Sequence, residues 1–164
     1  MSESAFIALG SNIQPDHYLV EACRNLERLG AIIARSNVYR TKAVGPRPQA
    51  DFLNAAVLLR TGLTPLALRE QLRIIEAHLH RRRGKDRYAP RTIDLDLCMY
   101  GGMILEVDDL ILPDPDTLRY AFLAVPMAEL APDFIHPANG QSLAAIAARF
   151  DASQPNFRLH TLKL

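Results

Sequence analysis

The order of patterned segments predicts an α+β fold, a ferredoxin-like split βαβ sandwich with helices added towards the C-terminal end. Three observations carry this expectation. Over roughly the first hundred residues the apolar periodicity runs strand, helix, strand, strand, helix, strand. Between the second and third strands, Lys42 to Gln49 holds Gly45, Pro46 and Pro48, which exclude the helix that a doubly wound parallel sheet would place there. With 164 residues, 49% of them hydrophobic, the chain suits one substantial core, so residues 1–164 are expected to form a single domain.

Each element has its own signal. Ala5 to Leu9 is a short apolar run closed by Gly10, Ser11 and Asn12, a buried strand entering a turn. Leu19, Val20, Cys23, Leu26 and Leu29 fall on one helical face, and Gly30 stops that helix. Ile32, Ile33, Val38 and Tyr39 mark the next strand, and Phe52 to Leu59 the one after the Pro-rich loop. Thr64-Pro65 opens a second helix with Leu66, Leu68, Leu72, Ile75 and Leu79 turned inward, ending near His78 to Arg83. From Thr92 to Tyr100 the chain alternates, so Asp94 and Asp96 project from one face and Ile93, Leu95 and Leu97 from the other. Short apolar pieces follow Gly101-Gly102, then helices at Phe122 to Leu130 and Ser142 to Phe150, and a weakly patterned tail after Asp151.

The totals exclude several function classes. Nineteen basic against 18 acidic side chains leave a net charge of +1, which offers no global attraction to nucleic acid or to a membrane surface. No run approaches the roughly 20 apolar residues of a membrane span, and the N-terminus lacks the pattern of a leader. Cys23 and Cys98 stand far apart without ligand spacing and read as small core residues in a reducing, cytoplasmic setting. His78 and His80 would diverge on a helix, while His17, His136 and His160 stand alone and suit surface or capping roles.

Charge is concentrated in one place. Arg81, Arg82, Arg83, Lys85, Arg87 and Arg91 face only Asp86, a local charge of +5, and the following Thr92 to Leu118 carries seven carboxylates and no Lys or Arg. Two aspartates on one strand face suit Mg²⁺, a hard ion that takes one or two carboxylates and completes its shell with water and phosphate oxygens. Arginine forks neutralise the remaining phosphate charge. Taken singly, the basic run reads as a solvated helix end and the aspartates as a water-facing strand. Side by side, they suit phosphoryl or pyrophosphoryl transfer.

The stretch RYAPRTIDLDL, Arg87 to Leu97, resembles the signature of 6-hydroxymethyl-7,8-dihydropterin pyrophosphokinases, which move pyrophosphate from ATP to a pterin alcohol in folate biosynthesis. ALGSN at Ala8 to Asn12, YRT at Tyr39 to Thr41, the Gly45-Pro46 loop, DFLNAAVLL from Asp51, and Ile75-Glu76 resemble further landmarks of that family in the same order. The resemblance implies that Asp94 and Asp96 hold two Mg²⁺ ions and that Arg81, Arg83 and Arg91 contact ATP phosphates from a closing loop. It implies a pterin between Phe52 and Phe122, read at its edge by Asn54 and by backbone near Thr41 to Val44. Tyr88 then covers the pterin, Glu76 lies on the nucleotide side, and the partners are a pterin and ATP bound by what is expected to be a monomer.

The resemblance breaks on the nucleotide side. In LPDPDTLRYAF, Asp114 stands where the family commonly has His and Tyr120 where it has Arg, and Asp109 sits where some members have Arg. Three readings stay open: an active pyrophosphokinase with a remodelled nucleotide side, a paralogue using a different alcohol or nucleotide, and a non-catalytic pterin or nucleotide binder. The intact arginine and aspartate set favours the first over the third.

Overall fold

The computed structural model describes residues 1–151 and 153–164. Its main sheet is antiparallel and six-stranded. β1 (Glu3–Ser11) lies between β5 (Asp94–Tyr100) and β4 (Phe52–Thr61); the far side of β4 pairs with both β2 (Ala31–Arg35) and β3 (Val38–Thr41). With α1 (Pro15–Leu26) after β1 and α2 (Pro65–His78) after β4, this is the ferredoxin-like arrangement expected from the element order.

The sheet is buried on both faces, so its strands divide their side chains between two cores. Ile7 and Leu9 of β1, Leu53, Ala55 and Val57 of β4, and Leu95 and Leu97 of β5 pack under α1 and α2. The opposite side chains, Phe6, Ala8 and Ala56, pack with Ala124, Met127, Leu130, Leu143 and Ile146 from α3 (Ala121–Leu130) and α4 (Leu143–Ala147). A bulge in β5 pairs Phe6 with Met99 and Ile7 with Leu97, which leaves Cys98 as the extra residue and turns it and Met99 into the second core. Thr64 caps α2 by accepting from the Ala67 N–H, and Ser142 caps α4 through Ala145.

Several expectations need correction. The predicted strand over Ile32 to Tyr39 is two strands, because the Ser36 N–H and hydroxyl bond the Ala56 backbone and break the ladder there. Leu66 is exposed rather than inward-facing, and Val20 is only half-buried, its place in the α1 core taken by Ala22. The last helix stops at Ala147 instead of Phe150. Weak patterning hid three strands. β6 (Leu105–Val107) and β7 (Leu110–Leu112) form a hairpin, and β8 (Phe157–His160) extends the sheet beside β3. His136 is buried rather than superficial, with its ring between Thr117 and the Ala138 N–H.

Candidate active site

On the α3 side of the sheet, the core ends where the side chains become small or polar. The register aligns Asn54, Gly10 and Asp94 across β4, β1 and β5, and one step along the strands it aligns Ala56, Ala8 and Asp96. Ala8 and Gly10 between the polar flanks leave an open floor, and both aspartates rise from the same face, as the alternation predicts. This floor, with Thr41, Val44, Phe52, Tyr88, Arg91 and Phe122 around it, lines one cavity.

One wall sets a fixed amide beside two aromatic rings. Asn54 is 8% exposed, and its Nδ2 donates to Thr41 Oγ1 at 2.7 Å, so the amide plane is fixed while its Oδ1 and second N–H remain for another partner. Gly10 makes room for it, since a Cβ there would lie 3.1 Å from Asn54 Oδ1. Phe52 and Phe122 line the same cavity, and each ring already has one companion. The Arg91 guanidinium lies 5.8 Å from the Phe52 centroid, and Tyr120 stacks on Phe122 at 5.0 Å. Pro126 inside α3 has no N–H to give the Phe122 carbonyl.

The arginine-rich loop is tied down by specific bonds. Gln49 Nε2 donates to the Tyr88 carbonyl at 2.8 Å, the Tyr88 N–H to Asp86 at 3.0 Å, and Arg47 pairs with Asp86. Gly45, at φ +136°, lies beneath Tyr88: a Cβ there would fall 2.8 Å from the ring, so only glycine lets the ring take its place in the cavity lining. Asn12 Oδ1 accepts from the Arg91 N–H at 2.9 Å and locks the loop to the end of β1. The Arg91 side chain is held by the carbonyls of Arg87 and Ala89 and donates to Asp94 at 2.9 Å.

The charged residues fall into two further hollows. Arg83, Asp96, Asp109 and Asp114 line a second cavity with Arg69, Arg73 and the apolar Leu97, Leu110 and Ile111. Glu76, Arg81 and Arg83 line a third hollow with Arg73. Glu76 is itself almost fully buried: one oxygen accepts from the Leu95 N–H at 2.8 Å and the other pairs with Arg83, so it fixes β5 between the two aspartates. Burial, and then the charge of Asp94, raise its pKa. Asp96 is exposed to both main cavities. Desolvation, and then the charges of Asp94, Asp114 and Glu76, raise its carboxyl pKa well above the ordinary range. Arg81 is pulled down by burial, and its Nε–H has no protein partner among the described residues.

The three departures separate in the structure. Tyr120 is in the first cavity, while Asp109 and Asp114 are in the second. Asp114 caps a 3-10 turn by accepting from the Asp116 N–H at 2.9 Å, and burial, then Asp116, raises its pKa. Sequence reasoning missed Arg69 and Arg73. Their spacing of four along α2 was a signal, but their partner, Asp109, lies in a hairpin that the pattern did not reveal.

Comparisons with known proteins place this chain in a family. A model of the 7,8-dihydro-6-hydroxymethylpterin-pyrophosphokinase (HPPK) family matches residues 6–132. A 2-amino-4-hydroxy-6-hydroxymethyldihydropteridine pyrophosphokinase from Haemophilus influenzae is 35% identical, covering 90% of this chain and 92% of its own length. Enzymes of the same name from Synechocystis sp. and Bacillus subtilis are 37% and 39% identical, covering 91% and 79% of this chain and 77% and 79% of theirs. Among solved structures, wild-type Plasmodium falciparum HPPK-DHPS with STZ-DHP has a TM-score of 0.74 at 12% identity, and covers 97% of this chain. This chain spans 47% of that longer protein, so the likeness speaks for the fold alone. The chain belongs to the 7,8-dihydro-6-hydroxymethylpterin-pyrophosphokinase family.

Proposed function

We propose that this chain transfers the diphosphoryl group of ATP to the hydroxymethyl oxygen of 6-hydroxymethyl-7,8-dihydropterin, releasing AMP, at the junction of its first two cavities. The observation that carries the assignment is Asp96, which faces both the cavity with Phe52 and Asn54 and the cavity with Arg83. A two-substrate transfer needs its reacting atoms to meet at one point, and holding them there supplies much of the rate.

In this reading the pterin lies between Phe52 and Phe122 under Tyr88, with its edge on Asn54 and the backbone from Thr41 to Val44. Pterin entry displaces Arg91 or Tyr120 from one ring face, depending on which face it takes. Arg91, Arg83 and Arg81 then bind the phosphates; the buried Arg81 Nε–H has no partner among the described residues. Glu76 acts through position, holding β5 and Arg83.

Asp94 and Asp96 fit Mg²⁺. They are two carboxylates on one strand face, and Asp96 is crowded by like charge that a cation relieves. We assign two ions to this pair together with the ATP phosphates. Held by Asp94 and Asp96, the ions would supply charge neutralisation for the phosphate oxygens.

The balanced charge of 19 basic and 18 acidic groups supports small-molecule partners and no nucleic-acid or membrane partner. Among the described residues, no helix is long and apolar enough to cross a membrane. We read the chain as a single-domain, monomeric, cytoplasmic enzyme.

The test is AMP release from ATP, the pterin alcohol and Mg²⁺. Turnover is expected to fall at least about a hundredfold in both Asp94→Asn and Asp96→Asn. Undiminished turnover in either variant, or tight pterin binding with no AMP in the wild type, contradicts the proposal.

A further inference from the structure

The second cavity presents an electrostatic problem for a triphosphate. Its lining carries Asp96, Asp109 and Asp114, and beside Arg83 the other cations in it, among the described residues, are Arg69 and Arg73 from α2. With those two the lining is formally neutral, three arginines against three aspartates; without them it carries two excess negative charges. A polyphosphate entering the latter would meet net repulsion.

The arginines are held in a defined way. Both pair with Asp109, at the turn between β6 and β7, Arg69 with one carboxylate oxygen and Arg73 with the other. Asp109 thereby ties α2 to the hairpin and closes one side of the cavity. Its own carboxyl is exposed; against desolvation, the largest single effect, its own backbone N–H and then the two guanidinium groups lower its pKa. The Arg69 side chain is 19% exposed, and its Nε–H is buried with no hydrogen-bond partner among the described residues. A buried, unsatisfied N–H on a cation lining a cavity is a group prepared for an acceptor from outside the chain. Arg73 also lines the hollow of Glu76, Arg81 and Arg83, so one helix carries positive charge from the second cavity to the phosphate-binding arginines.

We infer that Arg69 and Arg73, held by Asp109, are nucleotide-binding residues that supply from α2 the cations absent at positions 109, 114 and 120. This rests on the proposed use of a nucleotide triphosphate at this site. Asp109 is then a positioning residue, and its carboxylate is neutralised by the pair rather than set against the phosphates.

The test uses the full chain with Arg69→Met, Arg73→Met and the double variant; methionine keeps an aliphatic stem along α2. Two dissociation constants are measured: that of a non-hydrolysable ATP analogue with Mg²⁺, and that of the pterin alone. Each single variant is expected to weaken the analogue about tenfold and the double variant by about a hundredfold, with a shallower ionic-strength dependence. Pterin affinity stays within twofold. Asp109→Asn, which loosens both arginines, is expected to weaken the analogue less than the double variant does. Analogue binding within twofold of wild type in the double variant overturns the inference. So does parallel weakening of analogue and pterin with a lowered melting temperature, which marks a structural tie only. Because binding is read directly, a wild type that binds the analogue but makes no AMP fails the proposed function and leaves this test intact.

Discussion

Replacing Asn54 by Leu keeps the branched outline and removes the amide. The Asn54 Nδ2 has one N–H committed to Thr41 Oγ1, leaving one donor and the Oδ1 acceptor for the pterin edge. Two neutral hydrogen bonds at about 0.5–1.5 kcal/mol each sum to about 1–3 kcal/mol, a weakening of roughly fivefold to 150-fold in pterin Kd. The substitution also removes the donor to Thr41, which is 7% exposed, so the melting temperature should fall by a few degrees. Fluorescence titration with the pterin alcohol reads the first quantity and a thermal melt the second. ATP-analogue affinity, measured on the same sample, is expected to hold because Asn54 is absent from the second cavity. A pterin Kd within twofold of wild type, in a variant that remains folded, would refute the assignment of the amide as the edge reader.

Three further outcomes follow from particular contacts. Gly45→Ala forces a Cβ to within 2.8 Å of the Tyr88 ring at a positive φ, a strain of about 1–3 kcal/mol; pterin affinity should drop with it, and an unchanged Kd would show that Tyr88 does not cover the ligand. Asp114→Asn keeps the oxygen that caps the 3-10 turn and removes a carboxylate from the second cavity, the proposed nucleotide site. Screened repulsion of about 0.5–1.5 kcal/mol should disappear, lowering the KM for ATP roughly twofold to tenfold, and a raised KM would count against repulsion there. Burial holds the His136 imidazole below its ordinary 6.5, so above that pH the ring is neutral folded or unfolded and stability is complete. As pH falls below 6.5, the unfolded chain takes the proton first and stability is lost towards the folded-state pKa. Melting temperatures of His136→Gln should therefore change less between about pH 7 and 5 than those of the wild type; an equal slope would place the acid sensitivity elsewhere.

The fold was legible where periodicity was strong. β1, β4 and α2 declare themselves, because strands buried on both faces and a helix with one apolar stripe leave no competing pattern. The β6–β7 hairpin and β8 were not legible: strands of three or four residues supply too few alternations, and Leu159 is mostly exposed even though it pairs across the sheet. The Ser36 break in the second strand depends on a bond to Ala56, twenty positions away, which no local pattern contains.

The site divides in the same way. Asp94 and Asp96 were readable as a same-face pair from alternation alone, while Phe52, Asn54 and Phe122 joined the site only through the family likeness. That Asp109 is paired rather than repulsive was not readable, since its partners come from α2 across a turn between two short strands. His136 was unreadable for a similar reason. Its ring serves Thr117, whose hydroxyl donates to the Asp114 carbonyl, so a distant loop steadies the acidic turn.

The most direct test of the account is the fate of the phosphorus atoms. ATP labelled at the γ-phosphorus is mixed with the pterin alcohol, Mg²⁺ and the wild-type chain, and the products are separated. The account predicts that all transferred label appears in a pterin diphosphate, with one AMP formed for each. Label in a pterin monophosphate with ADP as co-product, or label released as free pyrophosphate with the pterin unchanged, would contradict it.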